Sequence, residues 1–375
     1  MKYYIIAGEA SGDLHASALM GALKKLDPGA RFRCYGGDLM KAQGAELVKH
    51  FRDLAFMGFW EVITHLRIIL SNIRFCKKDI LRFSPDVLIL VDYPGFNLRM
   101  ASFAARKRIR VFYYISPQLW AWHSSRVEVI KKYVERMFVI LPFEEKFYRD
   151  HGCTVDFVGH PLMDAVTGSR IYPSRDEFLV ANGFTDNPII ALLPGSRRQE
   201  IRRMLRVMIR VIPRFPGYQF IVAMAPAIPE VFYLRIIEGD RLNLVSGQTY
   251  ELLKHSEAAL VTSGTATLET ALMDIPQVVC YRASRISFLI ARLLVHVKFI
   301  SLVNLIMGKE VVKELIQHFL TPDNLTEELN KILDPGQRQR IRQEYSHLKT
   351  MLGGEGASGR AAALMIQYLS AKTVR

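Results

Sequence analysis

YYIIAGEASGDLHASALMGAL, residues 3–23, decides the fold. Its first five residues, Tyr3 to Ala7, are apolar without alternation, as a parallel strand buried on both faces requires. GEASGD, Gly8 to Asp13, then supplies small residues at a turn, and Leu14, Ala18, Leu19, Ala22 and Leu23 recur with helical spacing. Strand, glycine turn and helix in this order open a βαβ unit. Such a turn lets a ligand approach backbone N–H groups at a helix N-terminus, which favours an anion; the plainer reading is a tight turn. Glu9, Ser11, Gly12 and Asp13 are its candidate substrate contacts. The turn is neither GxGxxG nor GxxxxGK[ST], so dinucleotide and Walker-type readings fail.

The same rhythm continues outward. Strand-like runs follow at Phe32–Tyr35, Val87–Val91, Val111–Ile115, Met137–Ile140 and Asp156–Val158. A break at Pro161–Asn187 contains Gly168, Pro173 and Gly183, and alternation restarts after Pro188 with Ile189–Leu193, Phe220–Ala223, Leu242–Val245, Ala259–Thr262 and Val278–Tyr281. The chain of 375 residues exceeds what one core usually serves, and half of it is apolar. The expected fold class is therefore α/β: two Rossmann-like doubly wound domains facing a cleft, residues 1–165 and 185–345. Helical segments at Glu327–Leu333 and Gln337–Met351 precede a last helix after Gly356, which Ser358 is placed to cap.

A net charge of +14 points to an anionic partner: phosphorylated substrate, anionic lipid or nucleic acid. Nucleic acid is disfavoured, because no zinc-finger spacing or aromatic-rich RNA signature occurs. Cys34, Cys76, Cys153 and Cys280 lack CxxC spacing, so neither a disulfide framework nor structural zinc is implied, and a reducing compartment fits. The N-terminus reads as a strand and not a signal peptide. The apolar stretch Ile286–Met307 is broken by Arg292, His296 and Lys298, against a membrane span.

Chemistry-bearing residues cluster at predicted strand ends. Val87–Val91 delivers Asp92 and, five residues on, Asn97. A carboxylate at the end of a central strand faces the ligand crevice of this architecture, making Asp92 the candidate general base and Asn97 a substrate contact. The competing reading is an Asp that begins a turn before Pro94. SPQLWAW, Ser116–Trp122, brings Trp120 to the same edge, either for stacking on a sugar or for core packing. In the second half, LLPGSR ends in Ser196 and Arg197, and Arg197 suits a bidentate grip on phosphate or is an ordinary surface arginine. SGTATLE places Ser263, Gly264 and Thr265 at a helix start and Glu269 one turn in. That arrangement cradles a diphosphate and offers a carboxylate to ribose hydroxyls, where the plain alternative is an N-cap. His160 in VGHPL reads as a residue closing a strand, with substrate contact as the alternative. No DxD pair or metal-ligand spacing occurs, so neither metal nor cofactor is expected.

Met57, Phe59 and Trp60 precede a helical run through Val62, Ile63, Leu66, Ile69, Leu70 and Ile73, with Arg67, Arg74, Lys77, Lys78 and Arg82 nearby. Apolar residues flanked by cations suit docking at an anionic membrane or an acyl-chain groove; the bland reading is a helix packed on its own core.

GEASGD, FMGFWEV at Phe56, DYPGFN at Asp92, SPQLWAW, LPFE at Leu141, VGHPL, LPGSR, SGTATLE and SLVNLIMGKEVVKELIQ at Ser301 occur in one order across nearly the whole chain. Together they resemble the lipid-A-disaccharide synthase family, with departures at Tyr93, Gly95 and Val303. The resemblance implies a glycosyltransferase-B fold and metal-independent, inverting transfer of 2,3-diacylglucosamine from UDP-2,3-diacylglucosamine to the 6-hydroxyl of 2,3-diacylglucosamine 1-phosphate. The products are a β-1,6 disaccharide and UDP. It further implies Asp92 as base, Arg197, Glu269 and Asn304 at the UDP site, a helix within 346–375 packing back on the first domain, and a peripheral position on the cytoplasmic face of the inner membrane. A homo-oligomer is compatible with it. Rival readings on the same scaffold are a UDP-N-acetylglucosamine 2-epimerase, another lipid-linked UDP-sugar transferase, or a non-enzymatic membrane-surface module.

Overall fold

The computed structural model describes residues 1–53, 66–122, 126–167, 171–237, 242–284 and 297–371. Met57, Phe59, Trp60 and the first half of the apolar stretch from Ile286, residues 286–296, lie outside them. Two compact units result: Met1–Asp164 with Leu352–Arg375, and Ala165–Met351.

The first unit carries a seven-stranded sheet in the order β3-β2-β1-β4-β5-β6-β7. Its strands are β1 (Lys2–Ala7), β2 (Arg31–Gly36), β3 (Glu46–His50), β4 (Val87–Val91), β5 (Arg110–Tyr114), β6 (Arg136–Val139) and β7 (Asp156–Phe157). The second unit holds a six-stranded sheet ordered β10-β9-β8-β11-β12-β13. It comprises β8 (Ile189–Leu193), β9 (Gln219–Met224), β10 (Asn243–Ser246), β11 (Ser256–Thr262), β12 (Gln277–Tyr281) and β13 (Lys313–Ile316). Every strand pair is parallel. Parallel sheets need helices on both faces, so central strands lose all contact with water: Tyr3–Ala7 and Val87–Val91 are fully buried. Each buried aliphatic side chain contributes about 1.5–3 kcal/mol, so these strands anchor the core.

Both strand orders reverse at one place, between β1 and β4 and between β8 and β11. Neighbouring turns diverge there and leave a crevice beyond the strand C-termini. Those C-termini are GEASGD and Asp92 in one unit, LPGSR and SGTATLE in the other.

Two glycines in the first turn are required by contact. A Cβ on Gly8 would lie 2.3 Å from the Tyr93 ring, and one on Gly12 would come 3.2 Å from the Ala7 Cβ. Only bare backbone admits the aromatic ring and lets helix Ala10–Leu26 sit against β1.

The last helix, Ala357–Ser370, belongs to the first unit and packs on Ala10–Leu26. Ala357, Ala361, Ala362 and Met365 form its buried face. Its N-terminal amides are capped by Asp164, which accepts from Gly356 N and from Ser358 N at 3.1 Å. Ser358 itself is inside the helix, so the cap expected from sequence is supplied by a carboxylate distant in the chain. At the other end the Arg110 guanidinium donates to the carbonyls of Tyr368 and Leu369, where a cation meets the negative helix terminus. Among the described residues no helix is long and apolar enough to cross a membrane, and all four cysteines are free.

Candidate active site

Asp92 and Tyr93 leave β4 with φ of +45° and +49°. Non-glycine residues in this left-handed region cost about 1–3 kcal/mol each, so surrounding bonds must enforce the turn. They do: the Tyr113 hydroxyl donates to the Asp92 carbonyl at 2.5 Å, and the Asn97 amide donates to the same oxygen at 2.7 Å and to the Val91 carbonyl at 3.1 Å. The Asp92 N–H reaches the Tyr114 carbonyl at 3.3 Å. Tyr93 stacks on Phe96 with ring centroids 5.8 Å apart. The strained turn thus fixes the backbone from which the Asp92 carboxyl projects.

Burial, and secondarily the charge of Glu9, push the Asp92 carboxyl up to about 6, with a backbone hydrogen bond at Tyr93 pulling it back. A carboxyl in that range is ionised at neutral pH yet basic enough to take a proton from a hydroxyl in a transition state. Glu9 is the N-cap residue of Ala10–Leu26 and is half-buried; Ser11 is exposed beside it.

The structure gives Asp13 and Asn97 internal work. Asp13 is buried and accepts from the amides of Gly37, Leu39 and Met40, capping helix Asp38–Ala42. Asn97 has no exposed surface, and its amide nitrogen holds the Asp92 turn. Asp13 thus fixes the start of helix Asp38–Ala42, and Asn97 holds the Asp92 turn. Trp120 is half-buried on the short helix Leu119–Trp122, edge-on to Phe143 at 5.0 Å. Near it, sequence reasoning passed over Glu144, which is buried and accepts from Leu141 N at 2.9 Å and Ile140 N at 3.2 Å. Burial pushes its carboxyl up to about 7, with those amides opposing. The LPFE motif carried that signal. His160 is buried; its Nδ1 accepts from Leu162 N, and burial pushes its pKa down to about 3, so the ring is neutral.

In the second unit a cavity of about 260 Å³ opens where β8 and β11 end. Gly195, Ser196, Ser263, Gly264, Thr265 and Glu269 contribute to its wall. Gly264 has φ +157° and N-caps the eight-residue helix Thr265–Leu272, whose unsatisfied N–H groups supply partial positive charge. Glu269 accepts from the Tyr250 hydroxyl at 2.7 Å; burial raises its carboxyl pKa and that bond lowers it. Arg197 is the N-cap residue of helix Arg198–Ile209, with its side chain 63% exposed and 3.6 Å from Glu200. It stands outside the cavity wall, whereas Glu200 is part of it.

Asn304, expected at the nucleotide, is buried and internally bonded. Its amide donates to the Val312 carbonyl and Glu314, and its oxygen accepts from Val311 and Val312 N–H groups. Two donors and two lone pairs are thereby spent inside the protein. Glu314, unmarked in the sequence reading, also accepts from Ser301 and Ile300. The Ile300 carbonyl in turn takes the Ser263 hydroxyl at 2.9 Å. The SLVNL segment therefore braces the cradle instead of lining it. Among the described residues no cluster of His, Cys, Asp or Glu is arranged to hold a metal ion.

A family model described as Lipid-A-disaccharide synthetase matches residues 3–367. The chain belongs to this family. Lipid-A-disaccharide synthases from Syntrophus aciditrophicus and Myxococcus xanthus are 44% and 40% identical to it, covering 97% and 98% of this chain and 97% of each relative. That from Nitrosococcus oceani is 40% identical over 99% of this chain and 97% of its own length. Family membership makes the chain a glycosyltransferase of lipid A biosynthesis. Among solved structures, the S. aureus MnaA–UDP co-structure superposes with TM-score 0.70 at 14% identity, over 100% of this chain and 98% of that one. A Neisseria meningitidis UDP-GlcNAc 2-epimerase bound to UDP-GlcNAc gives 0.66 at 13%, covering 98% and 99%. The calicheamicin glycosyltransferase CalG4 gives 0.59 at 17%, covering 98% of each. These likenesses show a shared two-domain Rossmann-like fold.

Proposed function

We propose that the chain joins two acylated glucosamines, with Asp92 as general base and the second-unit cradle as UDP site. The ionised Asp92 takes the proton of the acceptor 6-hydroxyl as its oxygen attacks the anomeric carbon of UDP-2,3-diacylglucosamine. The bond from that carbon to the diphosphate breaks on the opposite face, UDP leaves with the electron pair, and a single displacement inverts the centre to a β link. Charge developing on the departing diphosphate meets the N-terminus of Thr265–Leu272 and Ser263, Gly264 and Thr265, with Ser196 and Arg197 adding donors and Glu269 taking ribose hydroxyls. These groups supply the charge stabilisation without a metal. Glu9, Ser11, Gly12 and Trp120 shape the acceptor side. The observation that carries the reading is the strained Asp92 turn, whose half-buried carboxyl is raised to about 6 beside Glu9.

Substrates with acyl chains reside in a bilayer, and helix Leu66–Phe83 offers a means of reaching one. Ile68 and Phe75 are 45% and 52% exposed, among Arg67, Arg74 and Lys78. Apolar side chains with flanking cations dock peripherally on an anionic surface such as the inner face of the inner membrane.

Product analysis tests the proposal. Incubated without added metal, the protein should form a tetra-acylated disaccharide phosphate plus UDP only from the acylated pair. Turnover of unacylated UDP-N-acetylglucosamine alone would instead assign an epimerase.

A further inference from the structure

Helices Leu66–Phe83, Pro94–Arg106 and Val127–Tyr133 of the first unit bound a groove of about 680 Å³. Leu70, Ile73, Leu98 and Val129 give it an apolar wall, and Pro94 and Gly95, the residues following the Asp92–Tyr93 turn, reach its edge. Among the described residues its charged lining is Lys77, Arg99 and Arg126, with no Asp or Glu. Among the described residues none of these three cations forms an ion pair. Arg126 is half-buried and close enough to Tyr113, the hydroxyl that holds Asp92, for its charge to act on that phenol. Groove and catalytic turn are therefore neighbours.

A wall of this kind fits an amphiphile whose head is anionic. Arginine forks match the oxygens of a phosphate monoester, and cations outside internal ion pairs keep hydrogen-bonding capacity for a ligand, Lys77 lying over the Phe103 ring at 5.2 Å. The bilayer is the competing source of such a head, but it meets a different surface. Ile68 and Phe75 lie about 180° around the helix from Leu70, Ile73 and Lys77 at about 100° per residue. The outward face is half exposed, whereas in the groove Ile73 is 7%, Leu98 9% and Leu70, at its rim, 38% exposed.

We propose that this groove is the acceptor subsite: the phosphate of the acylated glucosamine 1-phosphate binds Arg99 and Arg126, assisted by Lys77, and one acyl chain lies along Leu70, Ile73, Leu98 and Val129. The assignment rests on reading Asp92 as the acceptor's base. The donor's phosphates are accounted for in the other unit, so this cationic groove selects the acceptor.

The test compares the phosphorylated acceptor with its dephosphorylated form in neutral detergent micelles, for the wild type, Arg99→Ala, Arg126→Ala and Arg126→Lys. Sedimentation with phosphatidylglycerol–phosphatidylcholine vesicles runs alongside. Each alanine variant should raise KM for the phosphorylated acceptor about tenfold or more, as loss of a charge-assisted bond does. KM for the dephosphorylated acceptor and the donor should change less than about twofold, Arg126→Lys should recover part of the loss, and vesicle binding should be retained. An equal rise for both acceptors, an unchanged preference for phosphate, or lost vesicle binding with acceptor KM intact would overturn the assignment. A wild type that uses neither acceptor would overturn the functional reading itself, and the groove assignment with it.

Discussion

The hydroxyl of Tyr113, on β5, donates to the carbonyl oxygen of Asp92 at the end of β4. Adjacent strands thus lock the one turn among the described residues in which two successive non-glycine residues adopt left-handed backbone. Tyr113→Phe removes one of two donors to that oxygen, and Asn97 remains. The expected result is a loss of about 1 kcal/mol in denaturant unfolding. A fall in kcat of about tenfold should accompany it, from misplacement of the carboxyl, with UDP affinity unchanged. Unchanged kcat would mean that the turn does not need this brace.

Turnover should carry an acid limb with its midpoint near pH 6, falling about tenfold per pH unit below it. Because the charge of Glu9 helps to raise the Asp92 carboxyl, Glu9→Gln should move that limb to lower pH. Stability runs in the opposite sense. A carboxyl raised on folding is easiest to keep when protonated, so the folded state loses stability as pH rises through about 6. Asp92→Asn should be more stable than the wild type at pH 8 by about 1–3 kcal/mol, a gain that disappears below about pH 4. Denaturant titrations at the two pH values measure both.

At the nucleotide cradle, Tyr250→Phe frees Glu269 from its 2.7 Å partner. The carboxylate loses its orientation, and UDP affinity should weaken about three- to tenfold in calorimetry. Glu269→Gln should weaken it further. Equal UDP affinity in both variants would place the ribose elsewhere.

Asn304→Ala should cost about 2–4 kcal/mol of stability, since it strips partners from buried Val312 and half-buried Val311 and Glu314 groups. UDP binding should suffer indirectly, through the Ile300–Ser263 link. Saturating UDP is then expected to restore part of the lost melting temperature.

What the sequence made legible follows from where the signals originate. Central strands such as Val87–Val91 and Ile189–Leu193 are buried on both faces, and an unbroken apolar run betrays that directly. β3 and β13 escaped notice because edge strands are half wet: Glu46–His50 and Lys313–Ile316 each mix charges with aliphatics. Motif position told which turns meet at the strand ends but not what each polar atom does there. Asp13, Asn97 and Asn304 stand in the same signatures as Asp92 and Glu269, yet the carboxylate of Asp13, the amide nitrogen of Asn97 and both ends of the Asn304 amide bond backbone or neighbouring side chains. Tyr113, Tyr250 and Glu314 went unmarked because their partners are separated from them in sequence and meet them only in the folded chain.

Asp92→Asn, assayed for turnover and UDP affinity together, tests the central claim most directly. The account predicts a loss of turnover of about a thousandfold or more, with a Kd for UDP within about twofold of the wild type. Retained turnover, or an equal collapse of UDP binding, would contradict it: Asp92 would then be holding the nucleotide or the fold, and the base would have to be sought elsewhere.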